Sequence, residues 1–122
     1  MIRQFTSLAQ KLGEQGEVVA CGYLKREGFT IIERNVANKY GEIDIVARKS
    51  GRYYFYEVKA GKQGSWFNPA ENMTKGKIRK FLVSIEHYCL LHKIKNYRVY
   101  ALIVKLPILE TGQSRVELLP LE

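Results

Sequence analysis

The 122-residue sequence has little cysteine, little proline and little tryptophan, with two, three and one of these residues. Two cysteines, Cys21 and Cys89, are too few for a disulfide scaffold or a zinc site. We therefore expect a reducing, cytoplasmic setting in which both thiols pack as small apolar side chains. Long apolar runs are also missing, because the longest uncharged one is Val99 to Val104 and a membrane span needs about 20 residues. The N-terminal segment lacks the apolar core of a secretory signal, so we expect no export.

Acidic residues are scarce relative to basic ones, since 12 Asp and Glu face 20 Lys and Arg and leave a net charge of +8. So basic a domain suggests a polyanionic partner, with nucleic acid first and an anionic membrane surface second. An exposed basic amphipathic helix with aromatic anchors is not evident, so we expect nucleic acid and no membrane. The excess of positive charge is concentrated between Lys75 and Lys105, a segment that contains eight basic residues and one acidic residue.

The basic segment follows Thr74, a good N-cap, with four cations in the first two turns of a predicted helix. The helix dipole already makes that end positive, so cations placed there do not stabilise the helix. Two interpretations are open: a solvated helix face, or a phosphate-binding surface. In the second, the nucleic-acid-binding residues are Lys75, Lys77, Arg79 and Lys80.

The length and composition predict one domain over residues 1–122, without internal repeats or linkers. Helical spacing of apolar residues predicts a first helix from Thr6 or Ser7 to Glu27, stopped by Gly28, and a second over Lys75 to His92. Aromatic and β-branched runs predict strands around 29–34, 42–48, 53–59, 97–104 and 115–119. The order α-β-β-β-α-β-β predicts an α/β fold with a central mixed sheet flanked by helices.

The most informative stretch reads GEIDIVARKSGRYYFYEVKAGK and predicts two strands joined by a turn at Ser50 and Gly51. That turn sets a register in which Asp44 lies opposite Glu57. Lys59 shares a sheet face with Glu57, because the side chains of a strand repeat every two residues. The hairpin therefore gathers two acids and a lysine.

Two opposed carboxylates repel each other, whereas a divalent cation between them turns the repulsion into a binding site. Hard oxygen ligands suit Mg²⁺ or Mn²⁺, and the lysine can face both the metal site and a bound phosphate. The alternative is that all three are ordinary surface charges on an edge hairpin, since so short a pattern also occurs by chance.

The pattern Asp44…Glu57-Val58-Lys59 resembles the motif of the PD-(D/E)XK nuclease superfamily. The wider layout resembles the YraN-type family of that superfamily, which is related in fold to archaeal Holliday-junction resolvases. The matching segments occur in order and are GE (Gly16, Glu17), RN (Arg34, Asn35), GEIDIVA (Gly41 to Ala47), YEVKAGK (Tyr56 to Lys62) and MTKGKIRK (Met73 to Lys80). One departure is that the superfamily's proline before the aspartate is Ile43 here, and that proline takes no part in the chemistry.

The resemblance implies a restriction-endonuclease-like fold, an active site on the hairpin and a DNA endonuclease that uses Mg²⁺ or Mn²⁺. It implies that Lys59 is catalytic and that the metal is held by Asp44, Glu57, Glu17 and the Val58 carbonyl. Glu17 lies at the edge of the buried stripe of the first helix, and its alternative role is a helix-surface charge. Lys77 aligns with a lysine position of the family and is assigned to the DNA backbone or the scissile phosphate.

Two functions are compatible with these residues. The first is a metal-dependent DNA nuclease, with branched or junction DNA as one candidate substrate. The second is a non-catalytic nucleic-acid-binding protein that keeps the nuclease fold. A homodimer is an option by analogy with resolvases, which cut a junction at two symmetric points. Trp66 and Phe67 invite stacking on an unpaired base, although such a pair more often pins a loop to the core.

Overall fold

The structure of the chain is a computed structural model, and it describes residues 7–64, 73–109 and 112–122. Its helices and strands follow the predicted order. They are α1 (Leu8–Arg26), β1 (Thr30–Asn38), β2 (Gly41–Lys49), β3 (Arg52–Lys62), α2 (Lys75–His92), β4 (Tyr97–Leu106) and β5 (Arg115–Pro120). No helix in these described ranges is both long enough and apolar enough to cross a membrane.

The strands form one mixed sheet in the spatial order β1-β2-β3-β4-β5. Neighbours are antiparallel except for β3 and β4, which run parallel. A parallel pair needs a crossover connection, and α2 lies in the segment that makes it. The predicted α/β fold, with a central mixed sheet flanked by helices, is confirmed.

Polar caps and a glycine fix the helix ends that the sequence predicted. Ser7 caps α1 by accepting a hydrogen bond from the Gln10 amide at 3.1 Å. Thr74 caps α2 by accepting one from the Lys77 amide at 3.3 Å. Gly28 follows α1 with a φ of 92°, a conformation that favours glycine. The start of α2 matters for function, because it fixes which cations lie in the first turns.

Each face of the sheet is covered by one of the two helices, which gives two apolar clusters. The cluster under α1 consists of Ala20, Cys21, Leu24, Ile45, Ala47, Tyr56, Leu102, Val104 and Leu106. The cluster under α2 consists of Ile43, Val46, Phe55, Phe81, Ile85, Tyr88, Cys89 and Val99. Both cysteines are buried and unpaired, as the sequence predicted.

α1 lies very close to β3 at Gly16, which is buried. A Cβ atom at this position would overlap the Cβ atom of Ala60, so the contact depends on glycine having no side chain. The close approach also holds the following residue, Glu17, near the sheet.

The side chains of β2 change face at Asp44. Ile45 belongs to the cluster under α1 and Ile43 to the cluster under α2, although residues two apart in a regular strand share a face. On the neighbouring strand, Asn35 has a φ of 53°, a left-handed conformation that is uncommon for a non-glycine residue. The β1–β2 register places Asn35 across from Asp44, so both strands are irregular at the same level of the sheet.

Candidate functional site

A cavity of about 370 Å³ lies where β2, β3, α1 and α2 meet. It is lined by Gly13 and Glu17 from α1, Glu42 and Asp44 from β2, Glu57, Val58 and Lys59 from β3, and Lys77, Lys80 and Phe81 from α2. The structure thus brings together all of the predicted catalytic and metal-binding residues. It also places two of the four predicted nucleic-acid-binding residues beside them.

The β2–β3 hairpin has the predicted register as far as the pair Ile45↔Tyr56. The ladder ends there, so the predicted direct pairing of Asp44 with Glu57 is wrong. Instead, the Asp44 carboxylate accepts a hydrogen bond from the Val58 amide at 2.7 Å, between Oδ2 and the backbone nitrogen. A side chain here accepts the hydrogen bond of a backbone amide, and the cavity is lined by the residues just beyond the end of the ladder.

The carboxyl of Asp44 is in an electrostatically unfavourable position. Its burial raises its pKa from 3.8 to about 7, although the hydrogen bond from the Val58 amide opposes the shift. The negative charges of Glu17, Glu57 and Glu42 raise the pKa further. Asp44 therefore holds its charge poorly at neutral pH unless a cation joins it, which is unlike an ordinary surface acid.

Glu57 and Lys59 lie on the same side of β3, as the two-residue repeat predicted. The Lys59 ammonium is 3.1 Å from Glu57 Oε1, and both side chains are mostly buried, with 23% and 18% exposed. The other oxygen, Glu57 Oε2, is buried without a hydrogen-bond partner. An unpaired buried oxygen is costly, so this atom is a natural ligand for a cation in the cavity.

Glu17 reaches the cavity from α1, and its nearest cation is Arg34 on β1. The Arg34 guanidinium lies 3.7 Å from Glu17 Oε1, which is too long for a hydrogen bond. This oxygen is buried and has no hydrogen-bond partner. Burial raises the pKa of Glu17, whereas Arg34 lowers it and two acids, Glu14 and Glu42, raise it.

The four predicted cations of α2 divide between two faces of the helix. Lys77 and Lys80 are three residues apart and line the cavity. Lys75 and Arg79 line a different depression, together with Ile78, Leu82, Val83 and Glu86. All four are exposed, but only Lys77 and Lys80 face the acids.

The donor atoms of the cavity determine whether it can hold a divalent metal. Within the part of the chain that the structure describes, no three His, Cys, Asp or Glu side chains converge closely enough to hold a metal. Asp44, Glu57 and Glu17 therefore line one cavity without forming a three-carboxylate metal site. Two buried carboxylate oxygens nevertheless lack partners, on Glu17 and on Glu57. Mg²⁺ keeps several waters and needs only one or two carboxylates, so the donor chemistry fits it.

Sequence reasoning missed two residues of the site. Glu42 lines the cavity, and its signal was available, since it precedes Asp44 by two residues on the same strand. Arg34 had no local signal, because its pairing with an acid of α1 depends on the tertiary fold. The predicted stacking residues Trp66 and Phe67 lie outside the described residues.

Comparison with known proteins gives one consistent result. The profile of the family described as "Uncharacterised protein family UPF0102" matches residues 16–110. A UPF0102 protein of Helicobacter hepaticus is 45% identical over 94 residues, which cover 76% of this chain and 83% of the relative. A UPF0102 protein of a Sulfurovum species is 42% identical over 100 residues, which cover 80% of this chain and 87% of the relative. A third, from Helicobacter pylori, is 43% identical over 95 residues, covering 76% and 80%.

Proposed function

This chain belongs to the uncharacterised protein family UPF0102, the YraN-type family that its motifs indicated, and we propose that it is a metal-dependent nuclease. The proposed reaction is the hydrolysis of phosphodiester bonds in DNA, and it is inferred from the site. The observation that carries the proposal is the single cavity in which the acids Asp44 and Glu57 face Lys59 and the two lysines of α2. The resemblance of the hairpin to the PD-(D/E)XK motif supports the same reaction.

The charges of the cavity suit a phosphodiester. Four acids and three lysines line it, so anionic and cationic groups face each other across a small volume. The acids repel a phosphate unless a cation covers them, whereas the lysines attract it. A metal ion and a phosphate bound together satisfy both sets of charges.

The residues take distinct roles in the proposed reaction. A bound Mg²⁺ would polarise the phosphate and lower the pKa of a coordinated water. Asp44 and Glu57 would hold this ion, with the Val58 carbonyl as a further oxygen ligand, and Glu17 would act directly or through a water. Lys59, held beside Glu57, would stabilise negative charge on a non-bridging oxygen or on the attacking hydroxide. Lys77 and Lys80 would hold the backbone of the strand being cut.

The test is cleavage of labelled single strand, duplex, flap and four-way junction with Mg²⁺, with Mn²⁺ or with EDTA. We expect metal-dependent cutting of at least one of these DNAs and no cutting in EDTA. Tight binding of DNA without cutting under any condition would contradict the nuclease and favour the non-catalytic binding protein. Cutting that persists in EDTA would contradict the role of the metal.

The division of the α2 cations between two faces of the helix leads to a second prediction, which concerns DNA binding. Replacing both Lys77 and Lys80 with Gln should weaken DNA binding and reduce the slope of log K against log salt by about 2, since each phosphate contact contributes about 0.9 to the slope. The measurement is a salt titration of DNA affinity in EDTA, where no cleavage occurs.

The matched control removes the same number of charges from the same helix. A protein with Lys75→Gln and Arg79→Gln loses two cations on the face away from the acids. We expect its slope to change by less than half as much. Equal reductions of the slope in the two double variants would show that DNA binding depends only on the net charge. The cavity would then not be the DNA-binding site.

A further inference from the structure

The turn that joins β1 to β2 is anchored to the middle of α2. The Asn38 side-chain amide donates a hydrogen bond to the Ser84 carbonyl at 3.2 Å, and its oxygen accepts one from the Tyr40 amide at 2.9 Å. Gly41 lies so close to the helix that a Cβ atom there would be 2.8 Å from Ser84 Oγ. The turn is therefore held at both of its ends rather than left as a loose loop.

This anchored turn carries an exposed aromatic ring, that of Tyr40. Tyr40 is 39% exposed, and its ring centroid lies 5.4 Å from that of His87 at an angle of 59°. The ammonium of Lys39 lies 5.1 Å from the same ring. An exposed ring with a fixed backbone and a cation beside it has the composition of a nucleobase-stacking surface.

The Tyr40 ring and the cavity contact α2 at different positions along the helix. Lys80 lines the cavity and His87 contacts Tyr40, and these two residues are about 10 Å apart along the helix at 1.5 Å per residue. Glu42, two residues after Tyr40, also lines the cavity. About 10 Å corresponds to about three base steps of a strand at 3.4 Å per step. A strand that has a phosphate in the cavity and runs along α2 toward His87 would reach the ring.

We propose that Tyr40 is a stacking platform for an unpaired base of the DNA strand bound at the cavity, which gives the protein a preference for DNA with an unstacked nucleotide. This inference rests on the proposed function. A base inside a duplex has both faces covered by its neighbours, so only an unpaired or extruded base can lie against the ring. The Lys39 side chain is exposed and leaves the ring when the base arrives, which frees its ammonium for a neighbouring phosphate.

The experiment compares two DNAs in EDTA, one with a single bulged 2-aminopurine and one fully paired with the same base. We expect wild-type protein to bind the bulged DNA more tightly and to quench its fluorescence, because the base stacks on the ring. In Tyr40→Leu, affinity for the bulged DNA falls about tenfold while affinity for the paired DNA is unchanged. Tyr40→Phe keeps the ring and keeps the preference. Leu118→Ala alters a side chain that is also 39% exposed, on β5, and serves as the control.

The outcomes separate this inference from the nuclease proposal. Equal preference in wild-type and Tyr40→Leu proteins overturns the stacking platform, even if wild-type protein cuts DNA. Loss of the preference in Tyr40→Leu supports the platform, even if no DNA is cut with any metal. Thermal unfolding checks that the variant is folded, and Tyr40→Gln replaces it if it is not.

Discussion

Lys59→Ala is expected to lower the rate of cleavage of the preferred DNA by at least about 10²-fold and to leave most of the DNA affinity in place. The reason is the position of the ammonium, which lies 3.1 Å from Glu57 inside the cavity and faces the same volume as Asp44. Binding should survive because Lys77 and Lys80 on α2, which line the same cavity, are left in place. Single-turnover cleavage measures the rate, and affinity is measured separately in EDTA. Glu57→Gln and Asp44→Asn are expected to lose cleavage in the same way.

A matched ion pair elsewhere in the sheet provides the control. Lys105 on β4 lies 3.0 Å from Glu117 on β5, and neither residue lines the cavity. Lys105→Ala therefore removes a Lys–Glu pair of similar geometry without touching the proposed chemistry, and it should cut DNA at the wild-type rate. Full activity in Lys59→Ala would remove this lysine from the site, whereas equal losses in both variants would point to a general effect on folding.

Asp44→Asn should make the metal-free protein more stable at pH 8, by roughly 2–4 kcal/mol at 1.36 kcal/mol per pKa unit. The Asp44 carboxyl is raised in pKa from 3.8 to about 7, so its ionised form is disfavoured in the folded state. An Asn oxygen can still accept the hydrogen bond from the Val58 amide, so the variant removes the charge and keeps the contact.

The sign of the pH dependence follows from this shift. A group with a raised pKa contributes most to stability below its unfolded value, near pH 4, and loses that contribution as the pH rises to about 7. The advantage of Asp44→Asn should therefore be small near pH 4 and full above pH 7. The charged groups that line the cavity with Asp44 are Glu17 from α1, Glu42 from β2, Glu57 and Lys59 from β3, and Lys77 and Lys80 from α2.

Denaturant unfolding in EDTA at several pH values measures this effect. Addition of Mg²⁺ at pH 8 provides the control, because a cation at the cavity should stabilise wild-type protein more than Asp44→Asn. A variant that is less stable than wild type at pH 8 would mean that the Asp44 charge is already compensated in the folded protein.

Much of the fold was predictable because its signals are local. The N-caps Ser7 and Thr74 mark the starts of both helices, and each is satisfied by an amide three residues along the chain. The turn at Ser50 and Gly51 set the hairpin register correctly, since both residues adopt positive φ values of 52° and 77°. Such features depend on a few neighbouring residues and need no knowledge of the rest of the chain.

The details of the site depended on contacts that no local pattern encodes. Asp44 was expected to face Glu57 across a regular ladder, but the ladder ends one pair earlier and the carboxylate binds an amide instead. The division of the basic residues of α2 was also hidden, because it depends on which face the helix turns toward the cavity. Both differences arise from how α2 and the irregular part of β2 pack on the sheet.

The bond between Asp44 and the Val58 amide also links a side-chain charge to the main chain. When the carboxyl gains a proton or a metal, the electron density around that amide hydrogen changes, although Val58 itself neither ionises nor reacts. The resonance frequency of this one backbone proton is therefore a readout of the state of the site. This reporter proton is native to the protein and needs no substitution. It belongs to the strand that also holds Glu57 and Lys59.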